Sequence, residues 1–167
     1  MKKILILGVI YITTLLNANN NNLSPCNKIK MLQELLSKSK KPQIILLKMG
    51  EIAQSIDISL KEFKKNKAYK DICHLKIVKS SNFRDFASYD GYHYQQIVKK
   101  YPKSSVVDDA KYNLIYVITN NSYNFNNTCI EQKKLEKFIK DYPKSNKIKE
   151  AKKRVADIIK QGCTIVD

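Results

Sequence analysis

An eleven-residue pattern recurs in this chain after 41 positions, and that repeat limits the possible folds more than any other feature. Tyr94-Gln-Gln-Ile-Val-Lys-Lys-Tyr-Pro-Lys-Ser104 aligns without a gap to Leu135-Glu-Lys-Phe-Ile-Lys-Asp-Tyr-Pro-Lys-Ser145. The register continues into Asp109-Ala110-Lys111 over Glu150-Ala151-Lys152. Self-similarity at a period of this size marks stacked supersecondary units that bury their apolar faces on their neighbours.

The residues of one unit say what the unit is. Phe83, Phe86, Ala87, Tyr94, Ile97, Val98 and Tyr101 recur near the 3.6-residue period and predict one face of a helix. Pro102 lacks an amide hydrogen and disfavours helical geometry at Tyr101, so that helix is expected to end near Lys100. Ser104 is placed to cap the next helix, with Asp108 and Asp109 at its positive end. Val106, Val107, Ala110, Leu114, Val117 and Ile118 form the opposing stripe. The expected product is an antiparallel helical hairpin over residues 83–119, with Ala110 small enough for the helices to approach closely. A second hairpin over 131–160 sets Leu135, Phe138 and Ile139 against Ile148, Ala151, Val155, Ile158 and Ile159. The Asn-rich segment 120–128 reads as an irregular loop between the units.

Upstream the pattern is less regular. Residues 27–38 carry Ile29, Leu32, Leu35 and Leu36 at helical spacing, and Lys41-Pro42 ends that segment. Residues 44–56 are apolar enough for a buried helix, although 44–47 alone would also suit a strand. Residues 60–78 are expected to form a third helix, on Phe63, Tyr69, Ile72 and Leu75. With the four helices of the repeats the count is about seven. The expected class is all-α, a short solenoid of antiparallel helical hairpins forming a single domain over residues 26–167.

Tyr101-Pro102-Lys103-Ser104 followed by Asp108-Asp109-Ala110-Lys111-Tyr112 resembles the tetratricopeptide-type repeat proteins of the bacterial envelope. That group includes the outer-membrane barrel-assembly lipoprotein and the periplasmic coordinator of the Tol-Pal system. The likeness covers residues 83–160, with a period of 41 instead of the roughly 34 usual for the repeat. It implies a non-catalytic scaffold that binds another envelope protein, with no catalytic residues to carry over.

Lys2 and Lys3, the apolar run 4–16 and the small Ala18 have the layout of a secretory signal peptide over residues 1–18. A run of thirteen residues falls short of the roughly 20 needed to span a bilayer. Residues 19–25 then read as a flexible leader. Export makes disulfides the natural use of Cys26, Cys73, Cys129 and Cys163, an even number with no close pair of the kind that binds zinc. In the last hairpin Cys129 precedes the first helix and Cys163 follows the second, so antiparallel packing predicts their bond and leaves Cys26 for Cys73. A competing use of Cys26 is lipidation, because Leu23-Ser24-Pro25-Cys26 is similar to a lipobox, which would make the chain an outer-membrane lipoprotein.

No phosphate-binding glycine loop, nucleophile elbow or His-Glu-x-x-His helix occurs, so no enzyme activity, cofactor or metal is expected. Adjacent Asp108 and Asp109 read as complements to a helix dipole instead of an acid/base pair. The 31 basic residues outnumber 15 acidic ones and give a formal charge of +16. Arg occurs only at 84 and 154, whereas base readout in nucleic acids leans on Arg, so nucleic acid is not the expected partner. The lysines read either as a solvated face or as a means of nonspecific attraction to an acidic protein, an anionic membrane or the cell wall. Two functions follow: the periplasmic scaffold, or a basic, disulfide-bonded secreted or periplasmic inhibitor, immunity or effector-type protein. Tyr89, Tyr92 and His93 fall off the helical stripe, so with Arg84 and Lys99 they are the expected partner contacts. The competing role for the three rings is packing against the preceding hairpin.

Overall fold

The computed structural model describes residues 23–79, 84–121 and 128–163; the expected signal peptide, Phe83 and the segment 122–127 lie outside the described residues. Among the described residues are eight helices and one two-stranded sheet. Each helix start has a local cause. In α1 (Pro25–Leu36) the Ser24 Oγ accepts the Asn27 N–H at 3.4 Å and Pro25 fills the first turn, where a missing amide hydrogen costs nothing. Pro25, the last residue of the expected leader, is already helical, and residues 19–22 lie outside the described residues. Pro42 opens α2 (Pro42–Gln54), so the stretch 44–47 is helical and not a strand.

Residues 60–78 do not form one helix. Ser59 and Glu62 make a reciprocal capping box that starts α3 (Leu60–Lys65), and Asn66 turns extended and stops it. A single turn, α4 (Ala68–Asp71), follows. His74 then adopts a left-handed φ of 54°, and the chain leaves as strand β1 (Leu75–Val78). β1 pairs antiparallel with β2 (Phe86–Tyr89), Leu75 opposite Tyr89 and Val78 opposite Phe86. This also corrects the first repeat. Phe86 and Ala87 sit at helical spacing from Tyr94, but their alternation with Ser88 and Tyr89 is realised as a strand, with Ala87 and Tyr89 turned inward. The strand ends at Asp90-Gly91, where the Asp90 side chain accepts the Tyr92 N–H at 2.8 Å and Gly91 takes a φ of 87°. A Cβ at Gly91 would sit 2.8 Å from Leu114, so glycine meets both the backbone and the packing demand. The helix expected from residue 83 begins here, as α5 (Tyr92–Lys100).

From that point the repeat governs the structure. α5 and α6 (Val107–Asn121) are followed by α7 (Thr128–Asp141) and α8 (Ile148–Gln161), and both inter-helix turns use equivalent hydrogen bonds. Tyr101 and Tyr142 donate back to Ile97 and Phe138 at 2.8 and 2.9 Å; Ser104 and Ser145 donate to those tyrosine carbonyls at 3.0 Å each. Ala110 and Ala151, the small residues of the two units, are both fully buried. The Ser104 side chain does not act as the expected cap. Its Oγ is buried without a hydrogen-bond partner, and its carbonyl receives the Val107 N–H instead.

The six longer helices pack in series, α1 on α2, α2 on α5, α5 on α6, α6 on α7 and α7 on α8, while α3, α4 and the β-hairpin are inserted between α2 and α5. Two cores result. The larger one joins Ile29, Leu32, Ile45, Met49, Leu75, Tyr94, Ile97, Ala110 and Val117; the smaller joins Leu135, Phe138, Ala151 and Ile158 with Tyr112 and Ile115 of α6. Helix α6 contributes to both and so holds them together.

Cys26 bonds to Cys73, and Cys129 to Cys163; no cysteine is free among the described residues. The sulfur of Cys26 is thereby committed to a disulfide, which is incompatible with lipid attachment in this state. Among the described residues no helix is long and apolar enough to cross a membrane.

Candidate binding groove

The residues expected to meet a partner separate into two groups. Tyr89 is 3% exposed and His93 is fully buried, so neither is available to a partner. They belong to the seam between β2 and α5: the Tyr89 hydroxyl accepts the His93 backbone N–H at 2.7 Å and lies 3.0 Å from Nδ1. Tyr92 is exposed and stacks on His74 with ring centroids 3.7 Å apart. Arg84 and Lys99 are exposed. The reason for the correction is the strand. With residues 86–89 extended and the helix starting at 92, Tyr89 points inward by strand parity, and His93, Tyr94 and Ile97 form the inner face of α5.

The buried imidazole has a consequence for acid stability. Burial holds His93 down to about 3, with the neighbouring His74 ring acting in the same direction, and burial also lowers His74. The unfolded chain takes up these protons near the ordinary value of 6.5. Between those limits the unfolded state binds more protons, so stability present at neutral pH is lost as pH falls, at up to about 1.4 kcal/mol per pH unit per imidazole. Asp109, raised by burial and by Asp108, works in the opposite sense over the carboxylate range. Urea unfolding at several pH values is expected to give a shallower acid slope for His93→Phe than for the wild type. An unchanged slope would remove His93 as its source.

A groove lies elsewhere, over α6. One cleft of about 490 Å3 is walled by Glu51, Gln54 and Ser55 at the end of α2, Tyr94 of α5, and Lys147 and Glu150 at the start of α8. A second, of about 470 Å3, continues between α7 and α8 past Glu131, Arg154 and Asp157. Tyr112, Tyr116 and Glu150 line both, so the two clefts adjoin along α6. The sequence places these side chains together by helical spacing. Tyr112 and Asn113 lie four and three residues before Tyr116 on α6, and Glu150, Arg154 and Asp157 follow one another at spacings of four and three on α8.

The walls are fixed and the rim is open. Tyr94 donates to Gln54 Oε1 at 2.8 Å. Arg154 clamps Glu131 through two bonds, Nε to Oε1 at 2.8 Å and Nη2 to Oε2 at 2.9 Å, which ties α8 to α7. Tyr116, in contrast, is 55% exposed. The Lys147 ammonium sits 5.6 Å over the Tyr112 ring. Burial and nearby carboxylates raise the tyrosine phenols: Tyr94 with a contribution from Glu51, and Tyr112, pushed up to about 12, with one from Glu150.

Sequence reasoning missed this groove. Its acids lie on three helices, Glu51 on α2, Glu131 on α7, and Glu150 and Asp157 on α8, and the repeat contains Tyr94, Tyr112, Leu135 and Glu150 without showing that they converge. The spacing of Tyr112 and Tyr116, which sets both outside the apolar stripe of α6, was the available signal. Among the described residues no group of His, Cys, Asp or Glu is arranged to hold a metal ion. No protein-family model, no curated protein and no solved structure matches the chain.

Proposed function

We propose that this protein is an exported, non-catalytic, tetratricopeptide-like scaffold that docks another envelope protein in the groove over α6. The observation that carries the reading is the coincidence of groove and repeat. α6 and α8, which supply most of the lining, are the equivalent second helices of the two units. Serial packing of the longer helices supports a short solenoid interrupted by the β-hairpin. Two disulfides support passage through an oxidising compartment. The groove is open and its floor carries an exposed aromatic ring, the combination that anchors interfaces.

Recovery of the partner on the disulfide-intact protein, at about 0.1 M and about 1 M salt where screening lengths are roughly 10 and 3 Å, tests this reading. A partner held in the groove is expected to survive the higher salt and to be lost with Tyr116→Ser, while the melting temperature stays unchanged because Tyr116 is largely exposed. A partner that dissociates in salt and ignores Tyr116→Ser would favour the basic inhibitor or effector-type reading, in which the lysine-rich surface coats an acidic target.

A further inference from the structure

We propose that the outer face of α8 is a docking surface for a lipid bilayer bearing anionic headgroups, held by a stripe of four lysines. At about 100° per residue, Lys149, Lys152, Lys153 and Lys160 fall within about 100° of the helix circumference, and all four are exposed. Ala156 lies among them, and Ile159, 60% exposed, borders the stripe. The acids of α8, Glu150 and Asp157, sit on the flank that lines the groove, with Lys153 at the shared edge. Among the described residues the ion pairs at α8 use Lys147, Glu150, Arg154 and Glu131, and none uses these four lysines. The stripe is not part of the repeat. At the positions equivalent to Lys149, Lys153, Ala156 and Lys160, α6 carries Asp108, Tyr112, Ile115 and Thr119. Tyr112 and Ile115 pack into the smaller core formed with the following hairpin. α8 is the last helix among the described residues, and the face that would receive a further hairpin is built cationic instead.

The chemistry of the stripe selects an extended anionic surface. Lys149 and Lys160 are eleven residues apart, about 16 Å along the helix axis, or twice the roughly 8 Å screening length at physiological salt. A single acidic side chain therefore engages one of these lysines, whereas a plane of headgroups engages all four at once. Lysine is a hydrated point charge that sets no geometric demand on its counter-ion, while protein interfaces are anchored by aromatic rings and arginine. The stripe has neither, and the one arginine of α8, Arg154, is bound to Glu131 through both of its bonds. Ile159 supplies an aliphatic group at the edge of the stripe, placed to enter the boundary between headgroups and acyl chains. Four basic residues clustered on one amphipathic helix are what an anionic bilayer retains, at about fivefold in partition per lysine.

The test is co-sedimentation of the disulfide-intact protein with vesicles of phosphatidylcholine alone and of phosphatidylcholine mixed with anionic phosphatidylglycerol. Binding is expected to the mixed vesicles only, and to fall at about 1 M salt, where the screening length is roughly 3 Å. Lys149→Gln with Lys152→Gln should weaken it by about 25-fold. Lys61→Gln with Lys64→Gln removes the same charge from exposed positions on α3 and should weaken it by less than about twofold. Glutamine nearly matches lysine in helix propensity, so both variants are expected to keep the wild-type melting temperature. The chain has no tryptophan, so Ile159→Trp supplies a single indole, whose emission should shift to the blue on the mixed vesicles. Tyr116→Ser is expected to bind vesicles like the wild type, which separates this surface from the groove. Equal losses from the two lysine pairs would assign binding to the charge of the whole surface and overturn the proposal. Failure to bind the mixed vesicles would also overturn it, and retention on immobilised polyglutamate in that case would make the occupant an acidic protein.

Discussion

Tyr94→Ala is expected to cost about 4 kcal/mol, the largest loss for any single side chain here. The ring is fully buried at the junction of α2 and α5, meets Tyr89 edge-on with centroids 5.7 Å apart, and hydrogen-bonds Gln54 through its hydroxyl. Truncation leaves an aromatic-sized void in the larger core and leaves Gln54 without that partner. Gly50 explains how the ring fits. A Cβ at position 50 would lie 2.8 Å from the ring's Cδ1 and Cζ and closer still to Cε1, so the helices approach here because residue 50 has no side chain. Gly50→Ala is therefore expected to destabilise the wild type by about 1–2 kcal/mol, overpacking outweighing the gain in helix propensity. In the Tyr94→Ala background the clash is gone, and the same substitution should stabilise by up to about 1 kcal/mol. Denaturant unfolding of the four proteins closes this cycle. An effect of Gly50→Ala with the same sign in both backgrounds would contradict the packing described.

Loss of either disulfide is the second large effect. The Cys129–Cys163 bond spans 34 residues and Cys26–Cys73 spans 47, so constraint of the unfolded chain is worth about 4 kcal/mol in each case on the loop-entropy model. Their surroundings separate them. Cys26 and Cys73 are 2% and 0% exposed inside the larger core, whereas Cys163 lies on the surface just beyond α8. Replacing Cys26 and Cys73 by alanine should cost more than replacing Cys129 and Cys163, because buried sulfur contacts are lost with the cross-link. A mild thiol should open Cys129–Cys163 first. Equal losses, or prior reduction of the buried bond, would argue against this assignment of the two sites.

How far the sequence could be read depended on how local each signal was. The Tyr-Pro-Lys-Ser turn is self-contained: a proline, the restricted residue before it and short backbone hydrogen bonds. Helix ends at Lys100 and Asp141, and helix starts at Val107 and Ile148, accordingly keep the 41-residue offset. The hairpin of β1 and β2 has no such signature. Each strand is four residues long, and Phe86 and Ala87 suit a helical stripe as well as a strand edge; pairing with residues 75–78 decides between them, through the reversal at His74 and the Gly91 turn. That single difference moved Tyr89 and His93 from a surface into the core. The groove was less legible still, since it exists only where α2, α5, α6, α7 and α8 converge, and its acids carry no pattern until the helices are packed.

The claim that binding occurs over α6 is tested most directly by a photo-activatable residue at position 116, compared in the exporting cell with the same residue at the exposed position 61 on α3. The account predicts one discrete adduct from position 116 and none from position 61. Equal adducts from the two positions, or an adduct from 61 and none from 116, would contradict it.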